Sequence, residues 1–112
     1  MDMVGLKRFD VCLVNLDPTV GSEIQKTRPA VIVSPNSMNI SRLKTVIVAP
    51  MTSTIRPNFP TRVETKFKNK KGHIALDQIR VIDRSRIIKI LGHVDDEVQK
   101  DVLNLLSVMF DR

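Results

Sequence analysis

Two polar segments of the sequence carry side chains of the kind that bind phosphate. The first, residues 17–29, ends with Arg28 directly before Pro29 and a run of strand-forming residues. Proline biases the preceding backbone toward an extended conformation, so we expect Arg28 at the end of a loop, at the mouth of a sheet. A guanidinium held there suits phosphate because its planar fork donates two parallel charge-assisted hydrogen bonds. The alternative is an ordinary solvated arginine.

The second segment, residues 50–60, begins where a predicted strand ends. Thr52, Ser53 and Thr54 offer consecutive hydroxyl donors for phosphate oxygens, and Arg56 adds a positive charge nearby. Ser and Thr are also common in loops, where they satisfy their own backbone, and Arg56 could equally be solvated. This segment is therefore a second candidate for phosphate binding.

Two further features are polar or basic. Asp77 and Gln78 interrupt an apolar alternation, which is as consistent with a turn held by structural hydrogen bonds as with a binding role. The basic run at residues 66–71 is typical of a solvated hairpin that could still steer an anion from a distance.

Several kinds of catalytic site are absent from the sequence. His73 and His93 are the only histidines, and neither lies near a cysteine or a paired carboxylate at metal-ligand spacing, so we predict no metal site and no cofactor. There is no glycine-rich phosphate loop, no serine elbow and no histidine pair arranged as acid and base. The one cysteine, Cys12, lies in an apolar run, so we interpret it as a small buried hydrophobe, and no disulfide can form within the chain.

The composition indicates one basic globular domain, expected to span residues 1–112. A net charge of +6 and a pI of about 9.9 favour anionic partners, although a soluble protein can be basic without one. No apolar run approaches the ~20 residues of a membrane helix, and no secretory signal is visible, so we expect a cytoplasmic protein without membrane contact. Because Phe59 is the only aromatic residue in an expected surface loop, base recognition would depend on hydrogen bonds and arginine planes.

The elements that must position these side chains are short β-strands followed by a helix. Strands are predicted at residues 10–16, 30–34, 45–49, 62–66, 73–76, 78–82 and 86–91, with a hairpin turn at 69–72. Strands at this spacing indicate a barrel or a sandwich.

The final helix is predicted to follow three consecutive carboxylates at residues 95–97. Its apolar residues recur at helical spacing, and Leu103 and Phe110 widen the apolar arc to roughly 160°. Such a helix either packs on the barrel and also contacts a partner, or lies deeper in its own core.

The motifs together resemble the MazF/PemK family of toxins. Residues 8–11, 17–23 and 27–35 (RFDV, DPTVGSE and TRPAVIVSP) are similar to the opening of the family. Residues 48–53 (VAPMTS) are similar to its second motif, and residues 75–80 and 83–86 (ALDQIR and DRSR) to its third. Each motif alone is weak, but their joint order is specific. The resemblance implies a mostly β, α+β fold, an SH3-like small barrel of the MazF/PemK/CcdB type with a C-terminal helix.

The resemblance also implies an activity, that of the toxin of a bacterial type II toxin–antitoxin system. Such a toxin is a metal-independent, sequence-selective endoribonuclease for single-stranded RNA, in which the ribose 2′-hydroxyl attacks the adjacent phosphorus and leaves 2′,3′-cyclic phosphate and 5′-hydroxyl ends. It implies a homodimer with RNA along the dimer face and an antitoxin whose acidic tail covers that face. Arg28 and Thr52 take the catalytic positions. Expected RNA contacts are Thr19, Ser22, Glu23, Lys26, Thr27, Ser53, Arg56, Asp77, Gln78, Arg84 and Arg86.

The sequence departs from the family pattern at one position. Some relatives use an arginine and an aspartate two residues apart in the third motif as acid and base. Asp77 matches that aspartate, but the earlier position is Ala75. Asp77 is therefore expected to serve as an RNA contact or an auxiliary base.

Two rival functions share the fold. A CcdB-like gyrase poison would call for a tryptophan near the C-terminus, and the chain has no tryptophan. A non-catalytic RNA- or protein-binding module is disfavoured because both Arg28 and Thr52 stand in their motifs.

Overall fold

The computed structural model describes residues 5–112 as a curled antiparallel sheet followed by a helix. Residues 1–4, where the expected domain begins, lie outside the described residues. The strands are β1 (Asp10–Asn15), β2 (Thr27–Ile32), β3 (Thr45–Thr52), β4 (Arg62–Phe67), β5 (Lys70–Ala75), β6 (Arg80–Asp83) and β7 (Ile87–His93), and the helices are α1 (Asn36–Asn39) and α2 (Asp96–Met109). Short 3₁₀ turns occupy Leu76–Gln78 and Arg84–Arg86. The strand order is β4-β5-β3-β2-β1-β7, and β6 pairs with β3.

The sheet curls until its two ends approach each other. Strand β1 pairs with β7 through two register shifts, and such irregularities increase bend and twist. At the other end of the sheet, the ring of Phe67 in β4 lies on Gly92 of β7, where a Cβ atom would be 3.2 Å from the ring edge. The result is a small SH3-like barrel with a C-terminal helix, so the predicted fold class is confirmed.

Both faces of the central strands are buried. Because side chains alternate along a strand, Cys12 and Ile32 belong to one apolar cluster, while Val11 and Val31 belong to the other. Burial, and to a smaller extent the charge of Asp10, raises the pKa of the Cys12 thiol to about 12. Cys12 is therefore the buried hydrophobe that its apolar neighbours predicted.

Helix α2 covers the second cluster. Val102 is fully buried, and Val98, Leu105, Leu106 and Met109 pack around it. Leu103 and Phe110 are 40% and 72% exposed, so part of the wide apolar arc is not buried in the chain's own core. No helix within residues 5–112 is long and apolar enough to cross a bilayer.

Several predicted boundaries were wrong next to proline and at the hairpin. Strand β2 begins before Pro29 and β3 continues past Pro50, which is fully buried, so the packing of these rings outweighs the missing N–H donor. The hairpin turn is Lys68-Asn69 rather than residues 69–72, and β5 already begins at Lys70. Gln78 lies in a 3₁₀ turn rather than a strand, as does Arg86, and α1 was not predicted.

Candidate functional site

Arg28 and Thr52 line one cleft of about 390 Å³. Both lie on strands rather than in the loops predicted for them. Arg28 is the second residue of β2 and pairs with Val14 of β1, and Thr52 is the last residue of β3. The lining residues are Arg28, Pro29, Met51, Thr52, Ser53, Phe67, Lys68, Lys70, Lys71, Gly72 and Leu91. The site is therefore built where β2, β3 and the β4–β5 hairpin converge.

The hydroxyl of Thr52 is held in a defined orientation. The Thr52 side chain is 9% exposed, and its Oγ1 accepts a hydrogen bond from the backbone N–H of Thr54 at 3.1 Å. Because a hydroxyl both accepts and donates, this bond leaves the hydroxyl hydrogen available to a ligand oxygen in the cleft.

Gly72 allows β5 to approach Thr52 closely. A Cβ atom at Gly72 would lie 2.6 Å from the carbonyl oxygen of Thr52, a distance that real Cβ atoms essentially never show. The position of Thr52 therefore depends on a glycine in the neighbouring strand.

The guanidinium of Arg28 is also oriented by the backbone. Its Nε donates to the carbonyl oxygen of Gln25 at 2.8 Å, and the residue is half-buried. A guanidinium has five N–H donors, so this bond fixes the plane of the group and leaves its terminal nitrogens for an anion.

The cleft is strongly cationic. Its lining, all within the described part of the chain, includes Arg28, Lys68, Lys70 and Lys71 and no carboxylate. The lysines of residues 66–71 are exposed on the β4–β5 hairpin, as expected for a solvated hairpin, and three of them also line this cleft. A lysine-rich hairpin is visible in the sequence, but its place beside Arg28 depends on how the sheet curls.

A second cleft of about 420 Å³ contains four of the predicted RNA contacts, Ser22, Glu23, Asp77 and Gln78. It is lined by Val20, Ser22, Glu23, Ile24, Pro50, Asp77, Gln78, Ile79 and Arg80. Pro50 of this cleft and Met51 of the first cleft are consecutive residues of β3.

Gln78 joins the first loop to the 3₁₀ turn. Its Oε1 accepts a hydrogen bond from the N–H of Ile24, and its Nε2 donates to the carbonyl oxygen of Ser22 at 3.1 Å. Both ends of the amide are therefore engaged, so Gln78 positions the loop rather than pointing an uncommitted amide toward a ligand.

Asp77 forms a two-pronged ion pair with Arg62. The distances are 2.9 Å from Nε to Oδ1 and 3.2 Å from Nη2 to Oδ2, and the side chain of Arg62 is only 7% exposed. Burial alone would raise the pKa of Asp77, but the hydrogen bonds and charge of Arg62 lower it. A carboxylate with a lowered pKa, already bound to a cation, is a weak base, which argues against the auxiliary-base role.

Two arginines predicted to contact RNA are occupied elsewhere. Arg86 donates through Nη1 to the carbonyl oxygens of Asn15, at 3.2 Å, and Asp17. Arg84 donates to the carbonyl oxygens of Leu43 at 2.8 Å and Met38 at 3.2 Å. Neither arginine lines the two clefts. Their positive charge suggested a ligand, whereas their guanidinium groups satisfy backbone carbonyls.

The remaining predicted contacts divide between loop geometry and open surface. Thr19 Oγ1 donates to Asp17 Oδ1 at 3.2 Å, and Glu23 Oε1 accepts from the N–H of Val20 at 2.6 Å. The exposed residues Lys26, Thr27 and Arg56 lie outside the lining of both clefts.

Arg80, absent from the predicted set, donates through Nη1 to the carbonyl oxygen of Leu16 at 2.9 Å. In residues 5–112 no group of three or more His, Cys, Asp or Glu side chains is placed to hold a metal ion.

The fold and the site define a small barrel with a cationic cleft suited to phosphate. Residues 7–110 match the model of the family described as PemK-like, MazF-like toxin of type II toxin-antitoxin system. This chain belongs to that family.

Two sequence relatives cover nearly the whole chain. Endoribonuclease MazF of Staphylococcus saprophyticus is 37% identical over 108 residues, which are 92% of this chain and 89% of the relative. Endoribonuclease EndoA of Bacillus subtilis is 35% identical over 108 residues, 92% of each chain.

Solved structures of the family share the fold. MazF from Deinococcus radiodurans superposes with a TM-score of 0.78 and 25% identity, covering 92% of this chain and 94% of that one. An endoribonuclease in complex with its cognate antitoxin, from a mycobacterial species, has a TM-score of 0.74 and 22% identity, with 91% of each chain covered.

Proposed function

We propose that this chain is an endoribonuclease, the toxin of a type II toxin–antitoxin system, and that it cuts single-stranded RNA in the Arg28–Thr52 cleft. The observation that carries the proposal is that these two residues, distant in sequence, line one cleft with cationic walls and no carboxylate. The names of the two sequence relatives, both endoribonucleases, support the same activity. We expect it to act in the bacterial cytoplasm.

The proposed reaction is an intramolecular transfer at phosphorus. The ribose 2′-oxygen forms a bond to the adjacent phosphorus, the bond from phosphorus to the 5′-oxygen breaks, and the 2′-hydroxyl proton is lost as the leaving oxygen gains one. The products are a 2′,3′-cyclic phosphate and a 5′-hydroxyl. Arg28 stabilises the additional negative charge on the phosphorane, and the Thr52 hydroxyl donates to a non-bridging oxygen. The catalytic contribution comes from donors fixed before the substrate binds.

Cleavage of a long RNA in excess EDTA tests this mechanism. We expect cuts whose downstream fragments carry 5′-hydroxyl ends, and sequencing of those ends gives the cleavage motif. Activity that disappears in EDTA and returns with magnesium would contradict the metal-independent mechanism. RNA that stays intact with a folded protein would instead favour a CcdB-like or purely binding function.

Two substitutions test the assigned residues. Arg28→Ala should lower the rate by about 10²–10³-fold, the scale for losing one preorganised donor. Thr52→Val removes the hydroxyl and keeps the branched shape, and its loss should be similar or smaller. Arg42→Ala, an exposed arginine outside the cleft lining and outside the expected RNA contacts, is the matched control and should retain activity. Full activity in Arg28→Ala would place the site elsewhere.

We also propose a homodimer. Ile88 and Ile90 of the end strand β7 are 47% and 44% exposed, and Phe110 after α2 is 72% exposed. Apolar surface of this kind is what a second copy would cover. Sedimentation at micromolar concentration should show a dimer, and a monomer that still cuts RNA would refute the assembly.

The antitoxin is proposed to act by covering the cationic cleft. Membership of a toxin–antitoxin family supports such a partner. A cleft in which Arg28 and the hairpin lysines bind phosphate also binds Asp and Glu side chains. A flexible acidic tail loses conformational entropy when it binds, and charge and a few apolar anchors must offset that loss. An acidic, partly hydrophobic peptide from the cognate antitoxin should therefore displace a labelled RNA. Simultaneous binding of peptide and RNA would contradict the overlap.

A further inference from the structure

We propose that the β4–β5 hairpin is a separate phosphate-binding site, in which Lys68, Lys70 and Lys71 hold a backbone phosphate of the RNA next to the one that Arg28 and Thr52 act on. This inference rests on the proposed function and extends it. It names the ligand as the phosphodiester backbone, independent of base identity.

The β4–β5 hairpin places its basic residues at the rim of the cleft. Phe67 pairs with Lys70, and the two turn residues Lys68 and Asn69 have φ values of 49° and 64°, as in a two-residue type I′ turn. Such a turn keeps the strands in tight register up to the tip. The three exposed lysines therefore lie at the rim of the cleft rather than on a loose loop.

The hairpin is fixed to the catalytic position at two points. Gly72 lies against the backbone of Thr52, and the ring of Phe67 lies on Gly92 of β7. Because both contacts are close, the hairpin and Thr52 keep a constant relative position. A phosphate bound by the lysines is therefore held in register with the phosphate at Thr52.

The hairpin carries its charge at a cost in stability. Lys68 occupies a left-handed backbone position, where asparagine or glycine is less strained. Lys66 and Lys71 are directly opposed across the strands, and like charges at that position destabilise a sheet. Neither feature helps the turn to form, which indicates that the charges serve an anionic ligand.

The charge pattern separates this cleft from its neighbours. The second cleft includes Glu23 and Asp77, and a groove between β4 and α2 includes Glu64 and Asp101. Carboxylates repel a phosphodiester, whereas the residues that line the Arg28–Thr52 cleft include none. The backbone of the RNA is therefore best accommodated along the hairpin.

The test measures binding of a fully 2′-O-methylated single-stranded RNA, which cannot be cut because its 2′-hydroxyls are blocked. Lys68→Gly removes one charge while placing glycine at a position that favours it, so the thermal midpoint should not fall. Adding Lys70→Gln and Lys71→Gln removes the remaining charges. A lost phosphate contact reduces the slope of log K against log salt by about 0.7, so the triple variant, which loses the one phosphate that the three lysines hold, should lose about 0.7 in slope.

Two controls accompany these variants. Lys100→Gln, an exposed lysine of α2, removes one charge away from the cleft, as Lys68→Gly does at its rim, and should leave the slope unchanged. Arginine at positions 70 and 71 (Lys70→Arg, Lys71→Arg) should preserve the slope because the charge is kept. A triple variant whose slope matches that of Lys100→Gln would overturn the hairpin site.

Cleavage of an unmodified RNA distinguishes failure of this inference from failure of the proposed function. The triple variant should raise KM and leave kcat at saturating RNA within a few-fold, because Arg28 and Thr52 are intact. Wild-type protein that binds RNA through the hairpin but never cuts it would refute the endoribonuclease and leave the site standing. Wild-type protein that cuts RNA, with a triple variant of unchanged KM, would refute the hairpin site alone.

Discussion

Replacing Gly72 by alanine would test whether Thr52 must lie where the structure places it. The new Cβ atom would be 2.6 Å from the carbonyl oxygen of Thr52 and 3.4 Å from its carbonyl carbon. To restore van der Waals contact, the two backbones must separate by roughly 0.8 Å. Overpacking of this kind lowers the free energy of unfolding by about 1–3 kcal/mol. A misplacement approaching 1 Å reduces a reaction rate by up to about 10²-fold, so we expect kcat to fall by about 10- to 100-fold.

The assay compares kcat at saturating RNA with the free energy of unfolding from urea titration, at a temperature where each variant is folded. Gly92→Ala is the matched control, because its Cβ atom would be 3.2 Å from the edge of the Phe67 ring, which can shift by a few tenths of an ångström. Its kcat should change by less than about threefold. The reasoning fails if Gly72→Ala keeps wild-type kcat, or if its activity falls only in proportion to the unfolded fraction.

Three further predictions concern the surroundings of the site. Burial would raise the pKa of Asp77, but Arg62 lowers it. The ionised carboxylate of Asp77 therefore stabilises the folded protein fully above the unfolded pKa near 3.9, and this stabilisation is lost as the pH falls through the lower pKa of the folded state. The urea midpoint of the wild type should therefore fall more steeply below about pH 5 than that of Asp77→Asn, and parallel curves would contradict this. Gln78→Ala removes both hydrogen bonds to the first loop and should speed limited proteolysis within residues 17–26. Gln99→Ala is the control, because it loses a hydrogen bond to a carbonyl oxygen far from this loop. Equal proteolysis rates in the two variants would argue that Gln78 does not hold the loop. Cys12, with its pKa raised to about 12 by burial and the charge of Asp10, should resist iodoacetamide at pH 8 until the protein is denatured, and rapid labelling of the native protein would disprove its burial.

Features set by local periodicity could be predicted from the sequence. The helix α2 was found because its apolar residues recur at helical spacing after three carboxylates. The strands were also found, but their ends beside Pro29 and Pro50 were not. At Pro50, full burial in the barrel overrides the local preference of proline.

The candidate site was predictable only where a motif carried it. Arg28 and Thr52 were identified through the family resemblance, and the structure places them together. The hairpin lysines were missed because their contact with the cleft depends on the curl of the whole sheet. The contacts of Arg84 and Arg86 with carbonyl oxygens 41 and 71 residues away in sequence could not be predicted, because no local pattern reveals them.

The first loop is held mainly through its main chain. Gln78 binds a carbonyl oxygen and an N–H of this loop, while Arg80 and Arg86 bind carbonyl oxygens where it leaves β1. Every amino acid supplies the same carbonyl, so the course of the loop is insensitive to the side chains it displays. Val20, which is 80% exposed, can therefore be exchanged without moving the loop. The contacts that hold the loop are thus separate from the side chain at its tip, and the sequence of the tip can change without disturbing the Arg28–Thr52 cleft.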